Sequence, residues 1–187
     1  MPNAVTICSN ALQILGADPI SSFEDGTDNA GRCSNLYPTV RDSVLRAHSW
    51  NCATRRVLLS PLSAAPAFDF SHQFQIPGDW LRTLQVGYKG RTIPYRHEAQ
   101  ALLANVAALP LVYCWRNKVE STWSANLIHL VELEMAAKMA YAVTSSASMR
   151  DSMRDEAMRA FKLAKAVDGQ DDPPEEFEEG SFVESRY

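Results

Sequence analysis

The sequence predicts an α+β protein, mainly α: a four-helix bundle with an inserted small antiparallel β region and an extended C-terminal arm. Apolar residues recur at helical spacing in both flanking parts of the chain. Between them apolar and polar residues alternate, as in strands. The last residues are acidic and contain paired prolines. These observations divide the chain into a helical domain (1–49 and 119–170), an inserted β domain (50–118) and an arm (171–187).

Two helices are predicted before the β insertion. The first spans 3–15, and Gly16 follows it, as is common after a helix C-terminus. The second spans 28–48, where apolar residues keep a helical spacing. Pro38 lies inside it and either kinks this helix or splits it into two.

Two more helices are predicted after the insertion, over 125–143 and 149–167. The first of them is apolar on more than one stripe, so we expect it to be buried on most sides. The second has a solvent-exposed face, on which Asp155 and Arg159 form a stabilising i,i+4 ion pair.

The β insertion contains short stretches typical of strands. The segment GYKGR (87–91) joins two of them and does not open a helix, so we interpret it as a hairpin turn rather than a phosphate-binding loop. Pro94 places its strand toward a sheet edge. The stretches are FSHQFQIP, WLRTLQV, RTIPY and LPLVYCWR.

The formal charge of −4 is distributed unevenly along the 187 residues. Residues 168–187 hold eight acids and one base, which leaves 14 acids and 17 bases in the preceding residues. That body charge of +3 is too small to indicate nucleic-acid binding by itself. Five arginines are candidates for phosphate contacts or for salt bridges between subunits: Arg32, Arg41, Arg46, Arg55 and Arg56.

No pattern of reactive residues indicates catalysis, so we expect no catalytic residue, no bound metal and no cofactor. No Cys or His residues fall at metal-ligand spacing. Cys8, Cys33, Cys52 and Cys114 are interpreted as free, packed thiols, although a Cys–His nucleophile assembled in space leaves a hydrolase open as an alternative. The apolar window 101–115 is too short to span a bilayer, and we expect no export signal and no membrane association.

Two segments, ALQILGADPI and DGTDNAGRCSNLYPTVRDSVLRAHSWNCATRRVLLSPL, resemble the tail tubular protein A family, the head-to-tail adaptors of short-tailed phages. The resemblance covers about residues 3–85, the later helices by pattern, and GSFVESR (180–186) near the C-terminus. Cys52 and Phe182 depart from the family pattern, which commonly has an aromatic residue and Trp there. The matching positions are Ala11, Leu12, Leu15, Gly16, Pro19, Ile20, Tyr37, Arg41, Asp42, Trp50, Asn51, Ala53 and Arg56.

The resemblance implies a structural virion protein and no enzymatic activity. Such adaptors form a ring, of twelve subunits in known members, that joins the portal protein to the tail nozzle protein. DNA passes through the channel without sequence-specific binding, and the protein resides in the virion tail after assembly in the host cytoplasm. Whether tail fibres attach to the β region is left open. The alternative function is a DNA-binding packaging accessory protein that uses the five arginines.

The resemblance also assigns a role to the C-terminal arm, because the arm of related adaptors reaches toward the portal. Acidic segments without a partner are usually poor in aromatic residues, whereas this one is not. The residues predicted to bind the portal are Phe177, Phe182, Val183, Arg186 and Tyr187.

Overall fold

The structure, a computed structural model, describes residues 1–171. Within this range the chain forms four α-helices and seven β-strands, and short 3-10 turns at Asn51–Ala53 and Glu120–Thr122 flank the strands. The helices are α1 (Ala4–Ile14), α2 (Asp28–Ala47), α3 (Ala125–Thr144) and α4 (Ala147–Gln170). The strands are β1 (Thr54–Leu59), β2 (His72–Gln75), β3 (Trp80–Tyr88), β4 (Arg91–Thr92), β5 (Tyr95–Glu98), β6 (Ala101–Ala104) and β7 (Leu109–Trp115).

Local sequence signals set the ends of α1. The Asn3 side chain accepts a hydrogen bond from the Thr6 amide at 2.8 Å and so satisfies one of the free donors of the first turn. At the other end Gly16 adopts a φ of 73°, and the Ala17 amide donates to the Leu12 carbonyl at 3.0 Å. This is a Schellman ending, which needs a residue that tolerates positive φ.

Helix α2 runs through Pro38 without interruption, so the alternative of two separate helices is wrong. A proline inside a helix removes one backbone donor, which normally weakens the helix. Here Pro38 is exposed, while Cys33, Tyr37 and Val40 on the inner side are buried. The free energy gained by packing this inner face therefore outweighs the cost of the backbone hydrogen bond that Pro38 removes.

The prediction of a four-helix bundle is wrong. The fold is α+β, with four helices and two antiparallel sheets. Helix α3 is central: it packs along α4 and also contacts α1 and α2, whereas α2 also contacts β3 and β7. Leu81 and Cys114 from the strands belong to the same buried cluster as the helices. The helical apolar surface is therefore covered partly by a sheet rather than by helices alone.

The inserted β region, expected to be small and antiparallel, consists of two antiparallel sheets. A four-stranded sheet has the order β1-β7-β3-β4, and a three-stranded sheet has the order β2-β6-β5. Phe74 and Leu102 from the smaller sheet share a second buried cluster with Val86 and Leu111 from the larger one. The two sheets therefore have a core of their own.

Among residues 1–171, no helix has both the length and the apolar character that crossing a membrane would need.

Candidate interaction surfaces

A carboxylate on α2 fixes the helices to the segment after β7. Asp42 accepts from Arg41 Nη2 at 2.7 Å and, through its other oxygen, from Arg116 Nε at 2.6 Å. Arg41 is only 7% exposed, and its guanidinium carbon lies 5.9 Å from the centroid of the Tyr37 ring. Because a buried guanidinium is costly without a partner, Asp42 stabilises Arg41 where it packs.

The end of α4 is attached to the connection between α2 and β1. The Asn51 side-chain amide donates to the Asp168 carbonyl at 2.8 Å, and the Asn51 backbone amide donates to the Asp168 carboxylate at 3.2 Å. His48 Nε2 lies 3.5 Å from the same carboxylate. Burial lowers the pKa of His48, and the charges of Lys165 and Arg82 act in the same direction, while Asp168 opposes them. Asp168 therefore attaches the end of α4 to the segment that leads into β1.

The sequence did not point to Asn117, whose side chain holds the connection between β7 and α3 in place through hydrogen bonds. This side chain is 1% exposed. Its Nδ2 donates to the Cys52 carbonyl at 2.8 Å and to Thr122 Oγ1 at 2.9 Å, and its Oδ1 accepts from the Val119 amide at 2.9 Å. Nothing in the spacing of the sequence marks such a residue, because its partners come from separate segments.

Two of the five candidate arginines connect elements within the chain. Arg46 Nη1 donates to the Leu81 carbonyl and so links α2 to β3. Arg55 on β1 pairs with Asp79 at 2.8 Å, and its guanidinium carbon lies 3.4 Å from the centroid of the Trp115 ring. Both side chains therefore have structural roles inside the chain.

The other three arginines differ in their surroundings. Arg41 is buried against Asp42, as described above. Arg32 lies 3.8 Å from Asp28 and donates to the Asn29 side chain at 3.1 Å. The Arg56 side chain is exposed and makes no ion pair or hydrogen bond with residues 1–171. Since four of the five arginines already make internal contacts, the arrangement offers little support for a shared phosphate-binding surface.

The four cysteines are free thiols. The hydrogen bond with Cys8 lowers the pKa of Cys33, although burial opposes it, whereas the surroundings of the other three thiols disfavour ionisation. A hydrogen bond with Cys33, together with burial, raises the pKa of Cys8. Burial raises the pKa of Cys52 to about 12 and that of Cys114 to about 11. Because the thiolate is the reactive form, Cys8, Cys52 and Cys114 are weak nucleophiles at neutral pH.

Potential metal ligands are dispersed over the fold. In the part of the chain that the structure describes, no group of three or more His, Cys, Asp or Glu side chains could hold a metal ion.

The sheets present two open clefts with large apolar side chains at their surface. A cleft of about 600 Å³ lies on β1, β3 and β7, and Leu58 and Tyr88 are exposed along it. A second cleft of about 840 Å³ lies beside the smaller sheet and includes the exposed Phe68 and Tyr95. Exposed apolar side chains that gather at a cleft indicate a contact surface more strongly than scattered ones do.

The helices also expose large apolar side chains. Tyr141 on α3 is 58% exposed, and Met158 and Leu163 on α4 are 57% and 58% exposed. Leu163 lies in a shallow depression with Leu133, between α3 and α4. Helices and sheets thus both carry apolar surface that residues 1–171 leave uncovered.

The predicted portal-binding residues Phe177, Phe182, Val183, Arg186 and Tyr187 lie outside the described residues.

Comparisons with known proteins leave the family open. No protein-family model matches this chain, and a search of curated proteins found no match. The class of protein is therefore stated by its fold: an α+β chain with a shared helix–sheet core and uncovered apolar surface on both parts.

Proposed function

We propose that this chain is a structural virion protein, a head-to-tail adaptor whose copies form a ring between the portal and the tail nozzle around the DNA channel. The observation that carries the proposal is the exposed apolar surface on both the helices and the sheets. A subunit in a ring contacts lateral neighbours as well as the proteins above and below it, so it needs more than one such surface.

The energetics favour contacts that act together. Full burial of one large apolar side chain contributes roughly 1.5–3 kcal/mol. Association and ordering of side chains cost several times that amount. One pair of exposed side chains therefore gives weak binding, whereas the same contact repeated around a closed ring gives a stable assembly.

The positions that carry the family resemblance hold the subunit together. Trp50 is fully buried, and its Nε1 donates to the Val44 carbonyl at 2.9 Å. Asn51 fixes the end of α4, and the pair Arg41–Asp42 connects α2 to Arg116. These contacts support a rigid subunit. Rigidity suits a channel component that DNA passes through and that does not bind DNA sequence-specifically.

Native mass spectrometry of the full chain, alone and mixed with the portal protein, tests this proposal. We expect a portal complex that contains a ring of this chain, twelve copies if the resemblance extends to the number of subunits. The double variant Tyr141→Ser, Leu163→Ser should reduce ring occupancy. The control Lys138→Ser, Lys162→Ser changes exposed polar positions on the same two helices and should leave occupancy unchanged. A chain that stays monomeric with the portal protein would argue against the proposal.

A further inference from the structure

An aromatic side chain projects from the loop between β1 and β2. Phe68 in this loop is 76% exposed. The next residue, Asp69, has a φ of 66°, and the Phe70 amide donates to the Phe68 carbonyl at 2.8 Å. These features define a γ-turn with a positive φ at its centre, which is a rare and strained conformation. The loop therefore combines a strained turn with a large apolar ring that its own chain leaves in solvent.

A carboxylate lies directly beside this ring in the sequence. Asp69 is exposed, and its side chain makes no ion pair or hydrogen bond with the described residues, 1–171. Aromatic residues are enriched at the centres of protein interfaces, and charge complementarity selects the partner. We call Phe68 and Asp69 the aromatic tip. A partner for this tip needs an apolar surface with a cation next to it.

The outer face of the larger sheet has an apolar floor of this kind. On β1, Arg56 and Leu58 alternate with Val57, which packs against the core between the two sheets, so they lie on the opposite face. Their partners across the sheet are Val112 and Pro110, which are half-buried. Leu58 itself is 61% exposed. A cation and several apolar side chains therefore share one open face.

The cleft of about 600 Å³ lies on this face and has cations at its surface. Its lining includes Arg56 and Lys89, both exposed, together with the aromatic ring of Tyr88. Among the described residues no acidic side chain lines this cleft, and neither cation makes an ion pair with them. We call it the sheet cleft. Its unpaired cations and apolar floor match the carboxylate and the ring of the aromatic tip.

The aromatic tip does not fill the sheet cleft of its own chain. Phe68 and Asp69 line the second cleft, beside the smaller sheet, and in the described part of the chain the two clefts share no lining residue. A contact between the aromatic tip and the sheet cleft therefore joins two copies through different surfaces. Such a head-to-tail contact forms a ring when its rotation closes.

We infer that the aromatic tip of one copy docks in the sheet cleft of a neighbouring copy. The Phe68 ring packs against Leu58, while the Asp69 carboxylate pairs with Arg56 and Lys89. The apolar floor beside the cations favours a protein partner over a nucleic acid, whose interfaces are more polar. The inference rests on the proposed function, because it names one lateral contact of the proposed ring.

Carbodiimide cross-linking tests this contact, because the reagent joins a carboxylate to a lysine amine with loss of water. Isotope-labelled and unlabelled full chains are mixed in equal parts and treated both alone at high concentration and in complex with the portal protein. We expect an amide link between Asp69 and Lys89 in which one peptide is labelled and the other is not. Links within single copies only, or links from Lys89 mainly to the portal protein, would overturn the inference.

Charge reversal tests the same contact from both sides. Asp69→Lys should lower ring occupancy on the portal several-fold in native mass spectrometry, and so should the double variant Arg56→Glu, Lys89→Glu. An equal mixture of the two variants should recover occupancy, because every tip meets a cleft of opposite charge when the two variants alternate. The matched control Glu24→Lys, at an exposed position outside both clefts, should leave occupancy unchanged.

The outcomes separate this inference from the proposed function. Circular dichroism checks that each variant is folded, and Phe68→Ser, which removes the ring without changing the charge, provides a second measurement if a reversed charge disturbs the fold. Folded variants with unchanged occupancy, or a mixture that recovers none, would contradict the inference. A portal ring without the link between Asp69 and Lys89 would leave the proposed function standing without this contact. Labelled–unlabelled links from the chain alone, with no portal ring, would contradict the proposed function instead.

Discussion

The helical part and the sheet part of this molecule use their apolar residues differently. Helix α3 is buried along most of its length, with Leu130, Met135 and Met139 fully inaccessible. In contrast, every residue of β5 is exposed, and large apolar side chains line clefts on both sheets. The difference suggests that the helical core provides most of the stability, whereas the sheets provide surface for neighbours.

The strongest test of this difference makes the same leucine-to-alanine truncation in the helical core and on the sheet surface. Leu130→Ala should lower the free energy of unfolding by about 2–5 kcal/mol, because it leaves a cavity in the helical core. Leu58→Ala, at a position 61% exposed, should change it by less than about 0.5 kcal/mol. Denaturant unfolding of both variants measures the difference, and similar losses would show that the sheet surface also carries stability.

The next largest effect should come from the contact that joins the two parts. Asp42→Asn should cost about 1–3 kcal/mol, since it leaves the buried Arg41 without its counter-charge. The control Asp151→Asn, at an exposed position of α4 where the carboxylate pairs with the surface residues Arg150 and Arg154, should cost much less, because exposed ion pairs contribute little to stability. Thermal unfolding compares the two, and an unaffected Asp42→Asn variant would mean that the bridge to Arg116 does not hold the parts together.

The smallest expected effect is a pH dependence at His48, where the end of α4 is attached to the connection between α2 and β1. Because burial lowers the pKa of His48 in the folded state, the unfolded chain binds more protons once the pH falls below the ordinary value of 6.5. Stability should therefore fall between about pH 7 and pH 5, and His48→Gln should make that fall shallower. The control is His129→Gln at an exposed position. Melting temperatures that fall equally in wild type and His48→Gln would exclude His48 as the cause.

The sequence predicted the helices better than their arrangement. Periodicity and end signals such as Asn3 and Gly16 are local, so the helices lie within a few residues of the predicted bounds. Which helical faces meet is not local. The bundle prediction is wrong because periodicity cannot show that Leu81 and Cys114, from strands, cover part of the helical core.

The second sheet was missed for a related reason. Strands β5 and β6 have four residues each, too few to establish an alternation, and β5 has no buried face. The sequence also marked five arginines as candidates for contacts with phosphates or with other subunits. The arginines were found as charged residues, but their internal partners, such as Asp79 for Arg55, lie far away in sequence. Asn117 gave no sequence signal at all.

Electron cryomicroscopy of tailed particles that contain this chain tests the central claim most directly. We predict a closed ring of copies between the portal and the nozzle, with the Tyr141 and Leu163 surface buried against neighbouring subunits and the sheet clefts covered by other copies or other proteins. Particles in which this chain is absent from that position, or occurs as single copies with both surfaces exposed to solvent, would contradict the account.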